Sequence, residues 1–239
     1  MHLKRICLHP DRYPTRSHYP FNLSIFQETV SLDFDSPVTF FVGENGTGKS
    51  TLLEAITRKC SIHIWEQGRS RRPVRNPFER RLPAYVSVEW FEAPVPGSFF
   101  GSAVFRDFAR MLDQWAVEDP DQLALFGGKS LTAQSHGQSI MSFFRSRYRL
   151  KGLYLMDEPE TALSPKTQLE LLRLLSRLSG QGHAQFIVAS HSPILTACPG
   201  AVIYSFDSSP IRAVAYPQTE HYRLYRRFMS DPSAFLKDA

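Results

Sequence analysis

Residues 43–51 read GENGTGKST, a match to G-x-x-x-x-G-K-[S/T] with Gly43, Gly48, Lys49 and Ser50 in register. PVTFFV (37–42) precedes it, an apolar run rich in β-branched and aromatic residues that predicts a buried strand. STLLEAITRK overlaps its end, with Leu52, Leu53 and Ile56 at helical spacing. Strand, glycine loop and helix in immediate succession are the context this motif requires. Its glycines let backbone N–H groups turn inward on an anion, and the helix adds the positive end of its dipole. Residues Gly43, Glu44, Asn45, Gly46, Thr47 and Gly48, with Lys49, Ser50 and Thr51 opening the helix, therefore form a candidate site for a nucleoside triphosphate. In that chemistry Lys49 reaches the β- and γ-phosphates and the Ser50 hydroxyl lies on Mg²⁺.

The other 230 or so residues are enough for one large domain or two small ones with a proper core. With 42% hydrophobic and 21% charged residues, the composition is that of an ordinary globular chain. Cys7, Cys60 and Cys198 are scattered, which argues against a disulfide frame or zinc site and for a reducing cytosol. No apolar run approaches the roughly 18 residues of a membrane span, and MHLKRICLHP lacks a signal peptide's apolar core. The expectation is a cytoplasmic protein with no direct membrane insertion, still able to dock on a membrane protein. The net charge of +5 is uneven: RSRRPVRNPFERR (69–81) carries six arginines, and Arg145, Arg147, Arg149 and Lys151 alternate further on. Such clusters suit a nucleic-acid backbone, or simply a solvated face.

GLYLMDEPETALSP (152–165) supplies the next chemistry. LYLM predicts a buried strand that delivers Asp157 and Glu158 at its C-terminal end, the edge where parallel α/β sheets hold ligands. An aspartate there can hold Mg²⁺ through a water, and the adjacent glutamate can polarise an attacking water. A helix follows, with Ser164 as N-cap, Pro165 first, a leucine stripe, and Gly180 at its end. AQFIVASHSPIL (184–195) places His191 after another buried strand, where it can contact the γ-phosphate and orient water. SHGQS (135–139), before the helical IMSFFRSRYR, is a second anion site at a helix start. One phosphate loop already serves this chain, so the spare site makes sense if it binds the nucleotide of a second subunit.

In this order, GENGTGKS, SHGQS, LYLMDEPETALSP and ASHSP resemble the ATP-binding-cassette (ABC) ATPase superfamily, and most closely its soluble branch of chromosome-maintenance and recombination-repair ATPases. The resemblance spans residues 43 to 193. It implies an α/β P-loop NTPase of ABC type: a mixed, mainly parallel sheet flanked by helices, with a small helical lobe. It also implies ATP and Mg²⁺ as cofactors and hydrolysis to ADP and phosphate. Ser135, Gly137 and Gln138 stand where the family's signature reaches across a dimer to the partner's ATP, though His136 replaces the first of two usual glycines. TALSP (161–165) resembles the loop that lines that interface, and His191 matches the family's switch histidine.

A glutamine loop is expected after a strand about forty residues beyond the phosphate loop. YVSVEWF (85–91) is the candidate strand, and Glu92 then stands in for the glutamine as a metal or water ligand, with Glu89 as competitor. Tyr19 or Phe21 is expected to stack on adenine. No heptad segment is long enough for an extended coiled coil.

A single ABC-type domain over 1–239 is expected, with its nucleotide-binding core at 1–96 and 151–215, a helical lobe at 97–150 and C-terminal helices at 216–239. In the lobe, AVFRDFARMLDQWA (103–116) turns Phe105, Phe108, Met111, Leu112 and Trp115 to one side. In the C-terminal helix Tyr222, Leu224, Tyr225 and Phe228 are expected to pack on the core. The functional expectation is a switch that forms an ATP-dependent homodimer and drives a protein partner, an effector or nuclease, in DNA or RNA maintenance or phage defence. Nucleic acid would be met through the 69–81 arginines. The alternatives are the nucleotide-binding subunit of an ABC membrane transporter and an ATP sensor that barely turns over.

Overall fold

The computed structural model of the chain describes residues 1–65, 76–119, 121–124 and 128–235. Arg69, Arg71, Arg72 and Arg75 of the arginine-rich segment lie outside these residues. The first half of the chain forms β1 (Leu3–Leu8), α1 (Ser24–Glu28), β2 (Ser31–Asp33), β3 (Val38–Val42), α2 (Lys49–Lys59), β4 (Val86–Trp90), β5 (Gly97–Gly101) and α3 (Ser102–Glu118). The second half forms α4 (Asp121–Ala124), α5 (His136–Arg147), β6 (Gly152–Asp157), α6 (Pro165–Gly180), β7 (Ala184–Ala189), β8 (Val202–Ser205), β9 (Arg212–Val214) and α7 (Glu220–Ser230).

Six strands make the main sheet in the order β5-β6-β7-β3-β8-β9, parallel throughout except for β9. Its central strands are continuous apolar runs because helices or a second sheet cover both faces. Alternate residues go to opposite sides. Phe40, Tyr154, Met156, Phe186 and Val188 join one core with Phe105, Phe144 and Leu175 of α3, α5 and α6. Phe41, Leu155 and Ile187 join another with Leu52 and Ile56 of α2 and Ile6 of β1. Phe186 is fully buried, so truncating it to alanine would cost about 3–5 kcal/mol. The fold is thus the α/β, mainly parallel, helix-flanked arrangement that the motif order implies, with no long coiled coil among the described residues.

The register fixes what the sheet presents at its C-terminal edge. Asp157 lies opposite both Gly101 and Ala189, Phe41 opposite Ala189, and Val42 opposite Ser205. The segments that leave these strands, 43–48, 102, 158–162, 190–192 and 206–207, therefore share one edge.

Three expectations are corrected. YVSVEWF does form a strand, but β4 pairs antiparallel with β1 in a separate three-stranded sheet, β2-β1-β4. Residues 97–101, expected in a helical lobe, are instead the outer strand of the main sheet, parallel to β6. The C-terminal helix does not bury its apolar side: Leu224, Tyr225, Phe228 and Met229 are all exposed, Met229 by 74%.

Candidate functional site

The loop between β3 and α2 has the conformation its glycines predict. Gly43, Gly46 and Gly48 hold φ values of 140°, 80° and 100°, the left-handed range that other residues enter only at a cost. Space adds a second reason at two of them. A Cβ on Gly43 would lie 2.9 Å from Asp207 Oδ1, and one on Gly48 would lie 2.9 Å from the Phe26 ring. Asp207, just past β8, accepts a 2.8 Å hydrogen bond from the Glu44 N–H and so ties the loop to the neighbouring strand.

Lys49, only 4% exposed, folds back over the loop. Its ammonium donates to the carbonyls of Gly43 at 2.6 Å and Glu44 at 2.8 Å. Burial lowers its pKa, while Glu158, Asp207 and Asp157 oppose that shift. The next residue makes the long-range link: Ser50 Oγ donates to Asp157 Oδ1 at 2.9 Å. Burial pushes the Asp157 carboxyl up to about 6, against the pull of the Ser50 hydroxyl. A hydroxyl and a carboxylate side by side are hard oxygen donors, suited to a Mg²⁺ that keeps most of its waters and takes its other ligands from phosphate.

Glu158 occupies the left-handed region at φ 45°, ψ 55°, a strained state for a non-glycine residue and one typical of functional sites. Its N–H donates to the carbonyl of Ala189 at 3.0 Å, and its own carbonyl receives the Thr161 hydroxyl at 2.9 Å. The side chain points toward His191, whose Nε2 lies 3.6 Å from Glu158 Oε1. That separation is too long for a hydrogen bond. Burial, then the charge of Lys49 and the neighbouring His221, hold the imidazole below its usual pKa. Glu160 Oε1 receives the His191 N–H at 2.5 Å and fixes the backbone there. Burial raises the Glu160 pKa, and that hydrogen bond draws it back. Glu160 Oε2 and His191 Nε2 are both buried without a hydrogen-bond partner.

Lys49, Ser50, Asp157, Glu158 and His191 thus come together as the sequence predicts. Glu92 does not join them. It follows β4, where Phe91 N–H donates to the carbonyl of His2. His2 in turn bonds Gln185 and the carbonyl of His183, at the start of β7 and so at the opposite end of the sheet. Glu89 is paired with Lys4 at 2.6 Å and is no substitute. The strand that reaches the site is β5, and the hydroxyl of the residue after it, Ser102, is hydrogen-bonded to the Thr161 hydroxyl at 2.7 Å.

Ser135 caps α5, and its N–H donates to Gln138 Oε1 at 3.2 Å. Gly137 packs beside Ala162 and Leu163 of the TALSP segment, 3.6 Å from the carbonyl of Ala162 to its virtual Cβ, rather than beside the phosphate loop. Ser135 and Gln138 stay exposed. Phe21 is completely buried against Tyr13 and Tyr85 and cannot stack on a base. Tyr19 is exposed and hydrogen-bonded through its hydroxyl to Thr51. It lines a polar cleft of about 270 Å³ with Glu54, Arg58 and Glu79. Of the second basic group, Arg145 is paired with Glu170 at 2.8 Å. Asp207, Glu160, Ser102 and His221 were not singled out in the sequence. Only Glu160, inside DEPETALSP, carries a local signal.

The chain is similar in sequence and fold to several known proteins. Residues 21–61 match a family model described as an AAA domain. Residues 134–197 match one described as AAA domain, putative AbiEii toxin, Type IV TA system. The phosphonates import ATP-binding protein PhnC 2 of Synechococcus sp. (strain JA-2-3B'a(2-13)) is 29% identical over 178 residues, 66% of each chain. The DNA replication and repair protein RecF of Leptospira interrogans is 69% identical, but over 29 residues only, 12% of this chain and 8% of that protein. The SMC head domain from Thermotoga maritima superposes with a TM-score of 0.52 at 18% identity, covering 90% of this chain and 100% of that one. The matches span 66%, 61% and 59% of the lengths of the first three curated relatives. No described helix is long and apolar enough to cross a membrane.

Proposed function

We propose, from the premise that this chain belongs to the ABC-type ATPase superfamily, that it binds ATP with Mg²⁺ and hydrolyses it as a switch. Two copies close around the nucleotide and drive a protein partner in DNA or RNA maintenance or defence. The observation that carries the reading is the Ser50–Asp157 hydrogen bond, 2.9 Å across 107 residues of sequence. It unites the phosphate loop with the acidic strand end and leaves Glu158 and His191 facing the same space.

Lys49 exchanges its two loop carbonyls for phosphate oxygens, an exchange that needs no new burial of charge. Mg²⁺, held by Ser50 and Asp157, supplies charge neutralisation to the phosphates when bound. Glu158 takes a proton from the attacking water. The bond from water oxygen to the γ-phosphorus forms as the bond to the bridging oxygen breaks, and ADP leaves. A neutral His191, donating from one ring nitrogen, orients that water or the γ-phosphate without repelling Lys49. Ser135 and Gln138, exposed on the flank beside TALSP, and the half-buried Gly137 serve the nucleotide of a second copy.

The similarity to an import ATP-binding protein favours a second reading, the nucleotide-binding subunit of a membrane transporter. The short RecF-like stretch and the arginine segment favour the first. Glu158→Gln tests the core of the proposal, because the amide keeps the shape and loses the basicity. With ATP and Mg²⁺ it should elute from size exclusion as a long-lived dimer and turn over at least about a hundredfold more slowly. A variant that remains monomeric at micromolar concentration and hydrolyses ATP at the wild-type rate would overturn it. A wild-type protein found only with a detergent-solubilised permease would move the role to transport.

A further inference from the structure

His191 has a partner outside the nucleotide site. Its Nδ1 lies 3.0 Å from Nε2 of His221, the second residue of α7, with the two rings nearly edge to face. The helix start that carries His221 is fastened close by: the Tyr216 hydroxyl donates to the carbonyl of Pro193 at 2.8 Å, Tyr216 packs on Tyr222, and Thr219 caps the helix.

Two ring nitrogens hydrogen-bonded at 3.0 Å hold one proton between them, so one ring donates and the other accepts. The surroundings decide which. If His191 donated from Nδ1, its Nε2 would carry only a lone pair. That atom is buried, has no hydrogen-bond partner, and faces Glu158 Oε1 at 3.6 Å, so lone pair would oppose carboxylate. With the proton on Nε2, an N–H faces the carboxylate and the conflict disappears. Nδ1 must then accept, and His221 Nε2 must donate.

We propose, on the reading that this site hydrolyses ATP, that His221 is a positioning residue that sets the tautomer of His191. Its Nε2–H donates to His191 Nδ1 and keeps the His191 proton on Nε2, where it serves the γ-phosphate or the attacking water. The arrangement follows the general logic of a ring nitrogen fixed by the bond the other nitrogen makes. Here the fixing group comes from a helix with no buried residue, so the state of α7 is passed directly to the hydrolytic site.

Nucleotide-free protein labelled with ¹⁵N-histidine gives the direct test, through long-range ¹H–¹⁵N spectra of the ring nitrogens. Wild type should show His191 as the Nε2–H tautomer. His221→Gln, whose amide offers an N–H at the same reach, should keep it, whereas His221→Leu, which keeps the packing volume, should give a mixture. In steady-state assays His221→Leu should lower kcat about tenfold, with KM for ATP within about twofold, and His221→Gln should recover most of the loss. Wild type with the His191 proton on Nδ1, or His221→Leu with unchanged tautomer and kcat, overturns the proposal. Should wild type fail to hydrolyse ATP at all, the proposed function falls. The spectra then still decide whether His221 fixes the His191 proton.

Discussion

Two groups of polar residues at opposite ends of the main sheet, one around Gln185 and one around Lys49, are satisfied in different ways. At the N-terminal end, Gln185 is fully buried, yet its side chain is spent on three bonds: from the N–H groups of His2 and Leu3 at 2.7 and 2.8 Å, and to the carbonyl of Leu3 at 2.9 Å. The carbonyl of His183 receives both His2 Nε2 and the Gly152 N–H. At the C-terminal end a lysine folds back on its own loop and burial pushes an aspartate up to about 6. A glutamate sits in a left-handed conformation, and two buried polar atoms have no partner. The first end anchors the antiparallel sheet to the core. The second withholds satisfaction that a ligand would supply, as strained and unpaired groups at functional sites do.

The largest effects should come from breaking the second end across two chains. Lys49→Ala and Ser135→Arg should each abolish hydrolysis as homodimers, one by losing the phosphate clamp and the other by obstructing its neighbour's nucleotide. In a mixed dimer one composite site carries both lesions and the other carries neither. Each mixed dimer should then show about half of wild-type activity, and an equimolar mixture about a quarter, when chains exchange freely and sites fire independently. Ser135→Arg with full activity on its own would remove the exposed start of α5 from the site.

Damage at the first end should read out as stability instead. Gln185→Leu keeps the volume but strands two buried N–H groups and a carbonyl. The cost should be about 3 kcal/mol or more, which lowers the melting midpoint by roughly 8 °C for a chain of this size. Hydrolysis per folded molecule should stay within about twofold. A selective loss of turnover at unchanged stability would mean that the two ends are coupled through β7, and the contrast between them would fail.

What the sequence reveals follows the same division. Asp157, Glu158 and His191 end or closely follow buried apolar runs, and Lys49 and Ser50 follow one across the glycine loop, so a local pattern places them at one edge whatever the strand order. Glu92 was misplaced because YVSVEWF announces a strand without naming its sheet. Its alternation suited an antiparallel sheet with one open face, and that is where β4 lies. The true neighbour of β6, GSFFG, is five residues long and flanked by glycine, a weak strand signal that topology overrode. In α7 the apolar stripe implied a buried face, but periodicity does not say what an element packs against, and Leu224, Tyr225 and Phe228 remain open. His221 left no trace, because its partner lies 30 residues away on a different element.

The smallest effect is also the one that separates satisfaction from function within a single side chain. Asp157 has its pKa pushed up to about 6 from an ordinary 3.8, so in the ligand-free fold its charge is a cost. The sign follows from which state holds the proton. Below about pH 4 the carboxyl is protonated folded and unfolded, and the cost is absent. Between about 4 and 6 the unfolded chain releases a proton that the native state retains, so the native state loses stability as pH rises. Above about 6 both are ionised and the full penalty, about 2 kcal/mol after allowance for partial exposure, remains. Asp157→Asn keeps an oxygen for the Ser50 hydroxyl and removes that charge. It should therefore melt about 5 °C above wild type at pH 7.5, with the gap closing as urea titrations are carried down toward pH 4. The same variant should lose Mg²⁺-dependent ATP hydrolysis. An asparagine variant no more stable than wild type at pH 7.5 would mean that Asp157 is already compensated without ligand, and the contrast between the two ends would lose its clearest case.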